Sequence, residues 1–338
     1  MLNREPRRTG SRLQAVWDWC PWTVSDSESD LVCLTGGEVV IKTNRTRYAP
    51  LKDLNYQLMK LCKANRDGSF STQATRRRIL DRIANQLHEL GYRRMQAKSL
   101  KPKHVEALVS LWKDQGLGVG TLKNLLAGLR WWARHVGKLD IIPKDNSAFD
   151  IGKRSQVAKE SKAWELKEAH LARITDKYVA LSLRLQAAFG LRREEAIKFS
   201  PNYAIKDDHI KLKPTWTKGG RARKVPILND RQRALLDEIK ALAKGGALIP
   251  PNKNFIKQRN RYDRQVRKAG IENPHGLRHA YAQRRYEELT GWKAPVAGGP
   301  ASKSFSSKQR ALDKGARETI AKELGHSREQ ISTDYLGR

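Results

Sequence analysis

The side chains that could do chemistry in this chain stand in four separate segments. AAFGLRREEAIKF (187–199) places Arg192 just after Gly190, with Glu194 and Glu195 close behind. TKGGRARKVPI (217–227) carries Lys218 beside a Gly219–Gly220 pair. PHGLRHAYAQRRYE (274–287) gathers His275, Arg278 and His279, and ELGHSREQISTDYLGR (323–338) holds His326 and, nine residues on, Tyr335. Singly each is ordinary: a tyrosine packs a helix, a histidine caps one, and arginine is abundant here. His275 and His279 have the spacing of a zinc pair, but a hydrolytic zinc helix carries a glutamate after its first histidine, and Gly276 stands there. Glu194–Glu195 and Asp207–Asp208 are acidic pairs, whereas metal-dependent nuclease chemistry needs three or more convergent carboxylates. No metal and no cofactor is expected.

As a set, these residue types suit an anionic phosphodiester. Guanidinium groups stay charged and bind two oxygens in a fork, so Arg192 and Arg278 can clamp a phosphate whose displacement adds charge to its non-bridging oxygens. Tyrosine, with a reference pKa of about 10, needs help to ionise. His275 is the natural acceptor of its proton, and the arginines favour the anion. His326 is expected to hydrogen-bond the phosphate, and Glu195, three residues after Arg192, to orient an arginine.

The fold must assemble these segments. Residues 51–136 read as four short helices. Across 71–90, Ile79, Leu80, Ile83, Leu87 and Leu90 form one stripe, with Ser71 as N-cap, Gly91 as stop, and Arg76, Arg77, Arg78 and Arg82 opposite. The next helix starts near Pro102, aligns Val105, Leu108, Val109 and Trp112, and stops at Gly116. Another starts near Thr121, carries Leu122, Leu125, Leu126, Leu129 and Ala133, and ends before Gly137. Pro143, Asn146, Ser147 and Gly152 make 138–160 a linker. Beyond it come helices around 176–189 and 192–199, then strands 210–213 and 223–227 joined through Gly219–Gly220. Helices follow near 230–243, 254–269 and 275–289, then a loop over 290–307. Helices near 308–324 and 328–335 close the chain, the last opened by a Ser327–Gln330 capping box. The expected class is mostly α with a small β-hairpin.

Charge points to the partner. The 338 residues carry 67 lysines and arginines against 35 acidic side chains, a net charge of +32. Residues 1–50 hold 7 basic and 6 acidic groups, so nearly all of the excess lies beyond them. An excess of this size predicts a polyanion, and nucleic acid before others. No run of 18 apolar residues suggests a membrane span, and MLNREPRRTG lacks the apolar run of a secretory signal. Cys20, Cys33 and Cys62 form no CxxC and read as free thiols in a reducing cytoplasm.

Order matters more than any single residue. Arginine, lysine on a hairpin, His-x-x-Arg, histidine, then tyrosine resembles the tyrosine recombinases, or phage-type integrases, over about residues 51–338. GLRREE, TKGGRARKVP, HGLRH and LGH followed by Tyr335 match in order. The closing YLGR and the long segment before LGH resemble most a prophage-integrase subgroup of proteobacteria. The resemblance implies a helical SAM-like core-binding domain over 51–137 and a tyrosine-recombinase catalytic domain over 161–338; residues 1–50 lie outside the match and read as a poorly ordered extension in preference to a small appended element. It implies a catalytic set of Arg192, Lys218, His275, Arg278, His326 and Tyr335, with Lys218 protonating the leaving 5′-oxygen and Glu195 and His279 behind them. Attack by Tyr335 then leaves a 3′-phosphotyrosine, which a foreign 5′-hydroxyl reverses without ATP. The implied partner is double-stranded DNA at attachment sites, bound by a homotetramer that exchanges strands through a Holliday junction, with room for DNA-bending accessory proteins. Arg76, Arg77, Arg78, Arg82, Lys123, Arg221 and Arg223 are expected on the DNA, and the location is the bacterial cytoplasm, at the nucleoid. Two other readings stand beside this one: type IB topoisomerase-like relaxation, and a DNA-binding protein whose site has decayed. Two features depart from the commoner pattern. Residues 290–307 read as an insertion, a passive loop by default, and only three residues follow Tyr335, where relatives often carry a tail that docks on the next subunit.

Overall fold

The computed structural model describes residues 53–153, 157–326 and 332–338. The extension expected over 1–50 and the Ser327–Gln330 capping box lie outside them. The chain divides into two compact units, the first ending at Lys144 and the main run of the second opening at Asp145. Among the described residues both are helical apart from one two-stranded antiparallel sheet. No helix among them is long and apolar enough to cross a membrane.

The first unit is built from α1 (Asp53–Ala64), α2 (Phe70–Glu89), α3 (Pro102–Asp114) and most of α4 (Val119–His135). Its stripes bury as a 3.6-residue period requires: Leu80, Ile83 and Leu87 of α2, Leu108 and Trp112 of α3, and Leu126, Leu129 and Trp132 of α4 are all inaccessible or nearly so. Each such side chain contributes about 1.5–3 kcal/mol. Gly128 lies where α4 passes Ile79 and leaves no room for a Cβ. Both buried indoles are satisfied, Trp112 Nε1 donating to Gln86 Oε1 at 2.9 Å and Trp132 Nε1 to the Ala97 carbonyl at 2.9 Å. The cap of α2 is Ser69, not Ser71: its Oγ accepts from the Thr72 amide at 3.2 Å, and Ser71 is already inside the first turn. The segment read as an irregular linker holds two 3₁₀ turns, Leu139–Ile141 and Asn146–Phe149.

The second unit runs α5 (Glu168–Leu171), α6 (Lys177–Phe189), α7 (Arg193–Ile197), α8 (Pro201–Ala204), β1 (His209–Leu212), β2 (Arg223–Pro226), α9 (Asp230–Ala243), α10 (Phe255–Lys268), α11 (Gly276–Thr290), α12 (Ser307–Leu324) and α13 (Thr333–Leu336). α11 is central and packs on α6, α12 and α13. Asp176 caps α6 by accepting from the amides of Tyr178 and Val179. The helix ends at Gly190, where φ is +61° and a Cβ would meet Tyr281 Cδ1 at 2.5 Å, so turn and close approach both require glycine. β1 and β2 pair with Ile210 opposite Val225 and Leu212 opposite Arg223. Alternation sends Ile210, Leu212 and Val225 into the core and leaves Lys211 and Lys224 outside.

Residues 290–307 are not irregular throughout. They contain 3₁₀ turns at Pro295–Ala297 and Ser302–Ser304. Ala294 and Phe305 are buried, and Trp292 and Phe305 pack with ring centres 5.5 Å apart. Isolated apolar residues without a period gave no helical or strand signal, yet they seat the segment on the core.

Candidate active site

The site is organised around Tyr335, which the single turn α13 holds nearly buried, 5% exposed. Arg278 Nε donates to Tyr335 Oη at 3.3 Å. The rings of His279, His326 and His275 lie with centres 4.5, 5.6 and 6.4 Å from the phenol ring. His275 and Arg278 come together because they flank the first turn of α11, three residues apart. His326 arrives just after α12, which ends at Gly325.

Arg278 is fully buried, and its surroundings explain how. Nη1 donates to the Gly190 carbonyl at 2.5 Å and Nη2 to the Leu324 carbonyl. Both oxygens belong to helix C-terminal ends, where carbonyls lack helical partners and carry negative partial charge, so a guanidinium seated between α6 and α12 satisfies both. Nη2 also lies 3.3 Å from His326 Nε2. Burial draws the Arg278 pKa down to about 10, against the counter-effect of Tyr335, and leaves it charged at neutral pH. The free two-pronged fork expected of Arg278 is therefore engaged by main-chain oxygens, and what it turns to the tyrosine is Nε.

Arg192, at the start of α7, is the more accessible arginine, its side chain 21% exposed. Nη1 donates to Glu195 Oε1 at 2.9 Å, and its amide donates to Glu195 Oε2 at 2.7 Å. Glu195 itself is inaccessible, and its main partner is a residue expected elsewhere: Arg223 donates through Nη1 and Nη2 to its two oxygens, both at 2.6 Å. Burial alone would raise the Glu195 pKa, but the Arg223 fork, with Arg278 and Arg192 beyond, holds it at about 2. Arg223, expected on the DNA, is buried here, because it shares the inward face of β2 with Val225. That alternation was the signal sequence reasoning passed over.

The three histidines are neutral at pH 7. Burial, reinforced by Arg278, Arg192 and Arg223, draws His326 down to about 3. Burial and then His275 draw His279 to about 4, and burial followed by Arg278 lowers His275. A neutral imidazole can accept a proton or donate a hydrogen bond, as its tautomer dictates.

Sequence reasoning also missed Gln283, whose Nε2 donates to the Tyr335 carbonyl at 3.1 Å and whose Oε1 accepts from Ser161 Oγ at 3.0 Å. Around it, the Ala158 amide donates to the Thr333 carbonyl and the Trp164 amide to the Gly276 carbonyl, both at 3.1 Å, so 158–164 lies across α11 and α13. A Cβ on Gly276 would meet Trp164 Cβ at 2.6 Å. Nothing periodic in this segment announced it.

The structure brings together Arg192, Glu195, His275, Arg278, His279, His326 and Tyr335. It leaves Lys218 exposed on the β1–β2 connection, and among the described residues no hydrogen bond or ion pair joins it to the cluster. Of the residues expected on DNA, Arg77, Arg78, Arg82 and Arg221 are exposed and Lys123 is half-buried. Arg76 has other work, forking onto Asp67 at 2.8 and 2.9 Å with its guanidinium 4.4 Å from the Trp131 ring centre.

Comparison places this architecture. The sequence matches the family described as "Phage integrase, N-terminal" over residues 51–142 and the one described as "Integrase" over 151–284. The second match includes Arg192, Lys218, His275 and Arg278 and ends before His326 and Tyr335. No curated protein matches the sequence. The fold is similar to that of a lambda integrase dimer bound to a COC′ core site, at 16% identity and TM-score 0.56, over 83% of this chain and 76% of that one. It is similar to XerH site-specific recombinase bound to palindromic difH substrate in a post-cleavage complex, at 18% identity and TM-score 0.52, over 84% and 81%. It is also similar to a lambda integrase tetramer bound to a Holliday junction, at 16% identity and TM-score 0.51, over 81% and 74%. Fold and site define a two-unit helical protein with a buried tyrosine set among arginines and neutral histidines. The two matched families, phage integrase N-terminal and integrase, follow one another in order along residues 51–284.

Proposed function

We propose that this protein is a site-specific DNA recombinase in which Tyr335 attacks a phosphodiester and is released by a second strand's 5′-hydroxyl. The observation that carries the reading is the contact of Tyr335 Oη with Arg278 Nε at 3.3 Å inside a ring of neutral histidines. The Arg278 guanidinium stands at the attacking oxygen, and a neutral, exposed His275 can take its proton as attack proceeds. Arg192, the accessible guanidinium, meets the phosphate, while the buried charge of Arg278 stabilises the anionic transition state from behind. His326 hydrogen-bonds a non-bridging oxygen, and Lys218 protonates the leaving 5′-oxygen from its glycine-hinged hairpin. Four protomers pair two DNA sites and exchange strands through a Holliday junction, in the manner of the tetramer to which the fold is similar. The +32 charge supports a phosphate-driven, salt-dependent grip on the duplex, and the genetic role is integration or excision of a mobile element.

The test is a covalent trap. Incubation in EDTA with a nicked duplex spanning the junctions of the element that encodes the chain should give a protein–DNA adduct on a denaturing gel. Tyr335→Phe should give none. Tight binding to that duplex without an adduct would replace the enzyme by a DNA-binding protein, and an adduct surviving in Tyr335→Phe would mean another nucleophile.

A further inference from the structure

A one-turn helix cannot hold its own position, because helix nucleation is unfavourable and α13 is four residues long. Something else must fix Tyr335 against Arg278. Upstream, the 158–164 segment and Gln283 bind the Thr333 and Tyr335 carbonyls. Downstream, Arg317 of α12, 3% exposed, donates through Nη1 to the Gly337 carbonyl at 3.0 Å. Its Nε donates to Asp313 Oδ1 at 2.8 Å, and its guanidinium carbon lies 5.6 Å from the Tyr286 ring centre.

That arginine is tied into 290–307. Asp313 Oδ1 also accepts from Tyr286 Oη at 2.5 Å, and Trp292 Nε1 donates to Tyr286 Oη at 3.3 Å. Burial and the Asp313 carboxylate push the Tyr286 phenol up to about 12, so it stays protonated and donating. Trp292 packs on Phe305, and the Pro295–Ala297 turn packs on α13 itself. The contact is close: at Gly337, φ +69°, an added Cβ would lie 3.0 Å from Val296 Cβ and from its amide nitrogen. One chain of contacts therefore runs from Phe305 through Trp292, Tyr286, Asp313 and Arg317 to the residue two past the tyrosine.

We propose that residues 290–305 and Arg317 form an intramolecular brace that sets where Tyr335 stands, with Arg317 a positioning residue for strand cleavage. The proposal rests on Tyr335 as nucleophile. It assigns the insertion a role within its own protomer: with 158–164, whose Ala158 carbonyl also comes within 3.4 Å of a Cβ added at Gly337, it holds the nucleophile helix. Small misplacements of a reacting group are costly, so the brace acts on the rate of attack and not on DNA affinity.

The experiment is single-turnover adduct formation on the nicked duplex, at saturating DNA and well below the unfolding temperature, with rate constant and final adduct fraction read separately. Arg317→Met keeps length and loses the donors. It should slow the rate about tenfold while adduct fraction and DNA affinity stay at wild-type values. Arg317→Lys, which can still make one of the two bonds, should recover part of the rate. Gly337→Ala, which presses the tail against Val296 and lies outside the core helices, should slow the rate similarly and decides the matter if Arg317→Met does not fold. Wild-type rate constants in both variants, or a loss confined to adduct fraction, would reduce the network to a pillar of stability and overturn the proposal. Wild-type protein that forms no adduct would overturn the Tyr335 reading itself, a distinguishable failure.

Discussion

Two carboxylate–arginine forks of nearly equal geometry stand in the two units, in opposite surroundings. Asp67 takes Arg76 at 2.8 and 2.9 Å with its carboxylate 58% exposed. Glu195 takes Arg223 at 2.6 Å twice and is inaccessible. At Asp67 water can stand in for the partner, so the pair is worth little even though Arg76 itself is 11% exposed. In the interior each charge has lost its water, and its partner is the main compensation, so removing one strands the other. The interior fork also has consequences beyond itself, since Glu195 holds the Arg192 amide and side chain in place. The difference teaches that a fork's value is set by what surrounds it, which neither residue's position in the sequence reports.

The sharpest way to break the comparison is Glu195→Gln. It should destabilise the second unit by about 3–5 kcal/mol, seen as faster native-state hydrogen exchange in α7 and β2 with α2 unchanged. Equal effects of Glu195→Gln and Asp67→Asn would erase the distinction. Acid is the next lever. His279 and His326 have native pKa values of about 4 and 3, below the unfolded value near 6.5. Below pH 6.5 the unfolded chain takes up protons that the native one refuses, so stability is full above that pH and declines as pH falls toward 4. The slope for the buried His279 approaches about 1.4 kcal/mol per pH unit. Glu195, held at about 2 against an unfolded value near 4.5, adds a loss of the same sign that sets in once pH falls below about 5.5. In the first unit burial lowers one histidine, His104, so its exchange rates should respond less between pH 6.5 and 5. A steeper acid response in the first unit would contradict this. The smallest effect belongs to Asp67→Asn, which should barely move the unfolding midpoint.

What the sequence made legible follows the same physics. Helices with an apolar stripe and a glycine stop were readable, because periodicity and the left-handed turn are local properties; α3 is the plainest example. The cap of α2 was misplaced by two residues because Ser69 and Ser71 flank Phe70, which is 82% exposed and anchors nothing. The order of Arg192, His275, Arg278, His326 and Tyr335 pointed to a cluster that the structure gathers around Tyr335, since each residue type has one obvious service to a phosphate. Arg223 was hidden by being one basic residue among many, and only its parity with Val225 betrayed an inward side chain. Gln283, Arg317 and Trp292 were not readable at all: their roles are bonds to main-chain oxygens or to distant side chains, and neither leaves a pattern along the chain.

The strap of 158–164 across α11 and α13 bears on when the cluster around Tyr335 is complete. The Ser161–Gln283 bond closes a separation of 122 residues, and the Arg278–Tyr335 contact one of 57. Synthesis runs from the N-terminus at about 5–20 residues per second, so the arginine–histidine face leaves the ribosome's catalytic centre roughly 3–11 seconds before the tyrosine. Contacts of such long separation also form late in folding. A nascent chain thus carries its arginines and histidines before the tyrosine they surround, and the delay is written into the order of its residues.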